Sequence, residues 1–200
     1  MTSRLQNRAK NNFCAEGQVV SLTKASFISL QKKADTMKAA GQLKFGSNKS
    51  LPEDRSVLQG QFLKVGDKFV GEGSLVRYVG FIISARHSNV SNGEGVNCSK
   101  GGKESNDIHI EMSNKADDDL CNTVSVELSP HFRPSVWGDL PENPIHHRPL
   151  RIRGQLFFDA SHGPCKPGQM ANRPRASMGD PSGICDRCVR EDDTGGLQGE

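Results

Sequence analysis

Residues 106–129 read NDIHIEMSNKADDDLCNTVSVELS. Two runs inside this stretch alternate with a period of two, the pattern of half-buried strands. In 106–112, Ile108, Ile110 and Met112 fall on one face and Asp107, His109 and Glu111 on the other. In 123–129, Val124, Val126 and Leu128 form the apolar row. The acidic stretch between the runs, 115–120, reads as a turn. Two alternating strands joined in this way point to a mainly β domain.

The flanks extend that reading. Upstream, 74–85 is rich in Val, Ile, Phe and Tyr, which suit a pleated surface. A polar, Gly-containing loop follows over 87–105. Downstream, 130–140 suits a short helix around 134–137, with Pro134 tolerated in its first turn. Residues 150–159 form a fourth strand, with Ile152, Leu156 and Phe158 as its inner row, and 160–177 is a second long loop. Strand, long loop, strand, strand, short helix, strand, long loop is the order of an OB-like barrel whose fifth strand is missing. An open four-stranded barrel would leave an apolar edge, which proteins normally avoid.

Residues 1–72 read as an N-terminal extension. Within it, 23–40 is an amphipathic helix with Phe27, Leu30, Ala34 and Met37 near one face, Thr23 as N-cap and Gly41 as stop. Residues 41–72 look irregular. A chain of 200 residues suits one domain with extensions. Its 34% apolar content and its 21 Gly and 10 Pro imply a modest core wrapped in loop. There is no internal repeat, and no apolar run approaches the ~20 residues needed to span a bilayer, so no membrane span is expected. Residues 1–13, MTSRLQNRAKNNF, contain no secretory signal. Localisation stays open, and an exported origin would need a further upstream segment.

The formal charge of +3 is unevenly spread. Residues 1–50 carry a net +7, residues 51–200 a net −4, and the last 23 residues alone a net −4. A basic body favours anionic partners through phosphate neutralisation.

Four stretches within 73–177 carry a resemblance: NDIHIEM (106–112), SVELSPHFRP (125–134), RIRGQLFFDASHGPC (151–165) and RAS (175–177). Together they resemble an uncharacterised family of bacterial OB-like proteins. In that family the last motif continues approximately as WEIHPVYAIDVC, which would be the fifth strand. Here the chain continues after Ser177 as MGDPSGICDRCV. A coding string for MWEIHPVYAIDVC can be chosen such that deleting the two bases TG from its Trp codon yields MGDPSGICDRCV without a mismatch. The resemblance therefore implies an out-of-frame tail over 178–200, expected to be disordered, and makes the Cys185–Cys188 pair of that tail an accident.

Candidate site residues lie on the second strand and on the loops. Asp107, His109 and Glu111 share a strand face, where two-residue spacing lets them converge on a metal or act as acid and base. The bland alternative is the solvated side of a half-buried strand. His131 and Arg133 follow the third strand, and Asp159 and His162 follow the fourth. The two long loops border the ligand face of an OB-like barrel. They carry His87, Lys100 and Lys103 on one side and His162, Lys166, Arg173 and Arg175 on the other. This set suits an anionic ligand, including single-stranded nucleic acid, although the stacking aromatics of strand binders are scarce. Cys98 and Cys165, one in each loop, are a candidate disulfide, with Cys14 and Cys121 left for a second bridge. No cofactor or metal is assigned. The leading expectation is a non-enzymatic binding module. A metal-assisted hydrolase acting on phosphodiesters through Asp107, His109, Glu111 and His131 comes second. A disulfide-stabilised protein-interaction domain comes third.

Overall fold

The computed structural model describes residues 9, 17–45, 52–87, 90–93, 100–130, 133 and 148–159, and the backbone of 177–179. The protein is mainly β, with a mixed sheet and, among the described residues, one long helix. The sheet is organised around one strand. β4 (Leu75–His87) is 13 residues long and serves different neighbours along its length. Its first half pairs antiparallel with β7 (Leu150–Phe157), from Leu75 opposite Gln155 to Gly80 opposite Leu150. Its second half pairs antiparallel with β5 (Ile108–Ser113), from Phe81 opposite Ser113 to His87 opposite Ile108. The register shifts between Ile82 and Ser84, and such a bulge bends a strand and increases its twist. Gly80 sits where the neighbours change. A Cβ there would lie 2.7 Å from the Ser113 carbonyl oxygen and 2.9 Å from the Tyr78 ring, so the close approach needs glycine.

β5 continues antiparallel to β6 (Val124–Leu128). A further short strand pairs with both β6 and β7. β8, only Ser177–Gly179, runs parallel to β6 and antiparallel to β7, placing Met178 beside both Val126 and Leu156. A short β1 (Val20–Ser21) lies parallel to β4 at Val76 and Arg77. The short helix expected around 134–137 and the tail beyond residue 179 lie outside the described residues.

The helix forms where its periodicity places it. α1 (Lys24–Ala39) starts at Thr23, whose side chain accepts from the Ser26 backbone while Ser26 answers with its own hydroxyl. Phe27, Leu30 and Ala34 are its buried face. They join the strand residues Val76, Tyr78, Ile82, Ile108, Ile110, Met112, Val124 and Val126 in one apolar core. Leu43, Leu58, Phe62 and Val70 belong to this core as well, so the segments 17–45 and 52–72 share it with the sheet. The stretch 41–72, expected to be irregular, holds an antiparallel hairpin of β2 (Leu63–Val65) and β3 (Lys68–Val70). Gly66 opens its two-residue turn at φ +62°. No helix among the described residues is long and apolar enough to cross a membrane.

A buried ion pair ties this segment to the sheet. Arg55 donates from Nε to Glu72 Oε2 at 2.8 Å, and from Nη2 both to Glu72 Oε1 and, at 2.6 Å, to the Phe158 carbonyl. The Phe158 backbone donates back to Glu72 Oε1 at 3.0 Å, and Arg55 lies 5.0 Å over the Phe157 ring. Both partners are buried, so each compensates the other's lost hydration.

Candidate metal centre

The polar face of β5 is not solvated. Asp107 and Glu111 are 0% and 1% exposed, and the His109 side chain is 11% exposed. Both faces of this strand are covered, which corrects the simple inside–outside reading of its alternation. The register explains how the polar residues meet. His109 stands opposite Glu127 of β6 on one side and Arg86 of β4 on the other. Glu111 stands opposite Ser125 and Ser84.

Those registers divide the three residues expected to act together. Glu111 accepts from Thr123 Oγ1 at 2.6 Å and from Ser125 Oγ at 3.1 Å, and so is held by β6 hydroxyls. Asp107 and His109 gather instead with Glu127, and one potential ligand atom from each lies within 4.8 Å of the others. His109 Nε2 is 3.8 Å from Glu127 Oε1. The reading of 106–129 missed Glu127, although its signal was present. Pairing the two alternating runs as antiparallel neighbours sets the polar row of one beside the polar row of the other.

The segment preceding β5 is folded around Asn106, which is fully buried. Its Nδ2 donates to the carbonyls of Lys100 and Gly102, both at 2.8 Å. Arg133 reaches the same segment, donating to the carbonyls of Lys103 at 2.9 Å and Asn106 at 3.3 Å. Burial lowers the Arg133 pKa, and the nearby charges of Asp107 and Glu104 oppose that shift. A guanidinium is thus fixed beside the carboxylate end of the cluster. Lys100 and Lys103 contribute their carbonyls to this packing and leave their side chains exposed.

The remaining expected residues are dispersed. His87 ends β4 opposite Ile108, on the row of the apolar residues. Asp159 is buried just beyond β7. His131, His162, Lys166, Arg173 and Arg175 lie outside the described residues, as do Cys14, Cys98 and Cys165. The groove expected between 87–105 and 160–177 therefore has one described wall. Cys121, in the 3-10 turn Leu120–Asn122 before β6, is disulfide-bonded, and its partner lies outside the described residues.

One imidazole and two carboxylates offer one nitrogen and two oxygen donors. Such a set suits zinc, manganese or iron better than calcium, which takes oxygen alone. Three protein donors also leave coordination positions for water or ligand. Compared with protein-family models, curated proteins and solved structures, the chain matches none.

Proposed function

We propose that this protein is a binding module of OB-like fold that holds a divalent transition-metal ion through Asp107, His109 and Glu127 and uses it to bind a phosphate-bearing anionic ligand. The observation that carries this reading is the convergence of three donor side chains, within 4.8 Å and largely shielded from solvent. The OB-like reading is supported by the succession of neighbours β4–β5–β6–β8–β7, which returns to β4. Arg133 supplies a second point of attachment for an anion, since guanidinium matches phosphate geometry.

The same pairing of a cation site with an arginine favours a second reading, metal-assisted phosphodiester hydrolysis. A bound ion would supply Lewis acidity toward a phosphoryl oxygen. In that reading Asp107, His109 and Glu127 hold the ion, and Arg133 orients the ligand. We also infer that the resemblance to the bacterial family is genuine and that 178–200 is out of frame.

Metal titration tests the proposal. Manganese or zinc added to the metal-free full-length protein should bind one ion per chain by calorimetry and raise the melting temperature. At 100-fold excess over Kd the added stability is about 2.7 kcal/mol. His109→Ala combined with Glu127→Gln should abolish both effects while leaving the metal-free melting temperature within a few degrees. Equal binding by the wild type and the double variant overturns the reading. Hydrolysis of an activated phosphodiester by the metal-loaded wild type, and not by the double variant, would select the second reading over the first.

A further inference from the structure

The outward face of the β4–β7 ladder carries three arginines that the cation cluster does not use. Arg77 of β4 stands directly opposite Arg153 of β7, and Val79 stands opposite Arg151. All four side chains are exposed, Val79 at 51%. Directly opposed residues on a ladder hold their Cβ atoms ~5 Å apart, and like charges in that position destabilise the sheet. None of the three arginines forms an ion pair among the described residues. Arg77 spends only Nε internally, donating to Ser21 Oγ at 2.7 Å, which pins its side chain across β1 and leaves both Nη groups uncommitted.

A repulsive pair held on a rigid ladder is stabilised when an external anion bridges it. Two guanidinium groups this close can share one phosphate, each through paired N–H donors. Arg151 follows Arg153 at two residues, ~7 Å along the same strand, and reaches a neighbouring phosphate of a continuous backbone. We propose that this face binds the phosphodiester backbone of a single-stranded nucleic acid, with Arg77 and Arg153 sharing one phosphate, Arg151 holding the next, and Val79 covering the sugar between them. The strip is one ladder wide, which suits a single backbone. It also lacks the set of exposed aromatic and leucine side chains with which a protein inserts into a membrane surface. The inference stands independently of the cation cluster, because neither needs the other's residues.

The test measures binding of a fluorescent single-stranded oligonucleotide to the full-length protein across a salt series, without added metal. Each neutralised phosphate on a single strand contributes about 0.7 to the slope of log K against log salt. The R77Q/R151Q/R153Q variant should flatten the slope by about 1.4, for the two phosphates it releases, and weaken binding at low salt by at least about tenfold. A charge-matched control, K32Q/K64Q/K115Q, removes three exposed charges elsewhere and should keep the wild-type slope. The arginine variant should also melt no lower than the wild type, since it relieves a like-charge pair. Equal weakening in both variants, or an unchanged slope in the arginine variant, overturns the proposal. So does sedimentation with vesicles of anionic lipid that the arginine variant loses while its oligonucleotide binding persists.

Discussion

Tyr78 is the single tyrosine of the chain and lies in the core at 2% exposure, edge-on to Phe27 at 5.6 Å. Its hydroxyl has no hydrogen-bond partner among the described residues. Burial, helped by the charge of Asp118, pushes the phenol from 10.0 up to about 12. A raised folded pKa means that the neutral form is favoured in the native state. The associated stability is complete below pH ~10 and is lost as pH rises toward 12, by an amount on the order of 2–3 kcal/mol. Ultraviolet titration reads this residue alone, and an ionisation midpoint near 10 in the folded protein would contradict the packing. Tyr78→Phe should remove the alkaline step and melt no lower than the wild type at neutral pH, because it deletes an unsatisfied buried hydroxyl. Asp118 shows the opposite balance. Burial would raise its carboxyl, but hydrogen bonds from Lys24 and Ser113, with the Lys24 charge, hold it below the usual carboxylate range. That residue stitches the start of α1 to the end of β5, and residue identity alone could not show it, since its partner is 94 positions away.

Between elements, the couplings that matter are long-range, and this is where sequence reading stops. α1, β4, β5, β6 and β7 were legible because each repeats its period several times, so the apolar face announces itself. The β2–β3 hairpin was not, because three-residue strands offer too few alternations to outweigh a glycine. Asp107 and His109 were legible as a site, whereas Glu127 required the β5–β6 register and Glu111 required knowing that Thr123 and Ser125 stand beside it. The Arg55–Glu72 pair belongs to the same class. It joins the segment before β2 to the one after β3, and both groups reach β7 only in the folded chain. Removing Glu72 strands a buried guanidinium, so Glu72→Ala should cost about 3–5 kcal/mol in chemical denaturation. The R55M/E72L double variant should recover most of that loss, because two apolar side chains replace a desolvated pair. A Glu72→Ala cost below ~1 kcal/mol would mean that water reaches the pair, contrary to its burial.

For the whole molecule, the link between β6 and β7 rests on a strand of three residues. β8 pairs over Ser177–Gly179, joining β6 at two positions and β7 at three. The side of β7 away from β4 has no strand partner over 150–154 among the described residues. Met178 is also the last residue before the reading frame is inferred to change, so pairing extends one residue past that point. The in-frame continuation WEIHPVYAIDVC would extend β8 and supply large apolar side chains to the core that β6 and β7 border. Such a strand adds paired backbone to an edge that is otherwise open, and covering an edge both stabilises a sheet and suppresses association. Expressing the chain with the two bases restored should therefore raise the melting temperature by at least ~3 °C, roughly 1 kcal/mol for a domain of this size. Amide exchange in 150–154 should slow in parallel, as newly bonded groups gain protection. Coding DNA in which no two-base insertion restores a WEIHPVYAIDVC-like stretch would end the frame argument outright. A restored chain that melts with the present one would show that three residues of β8 already suffice to hold β6 and β7 together.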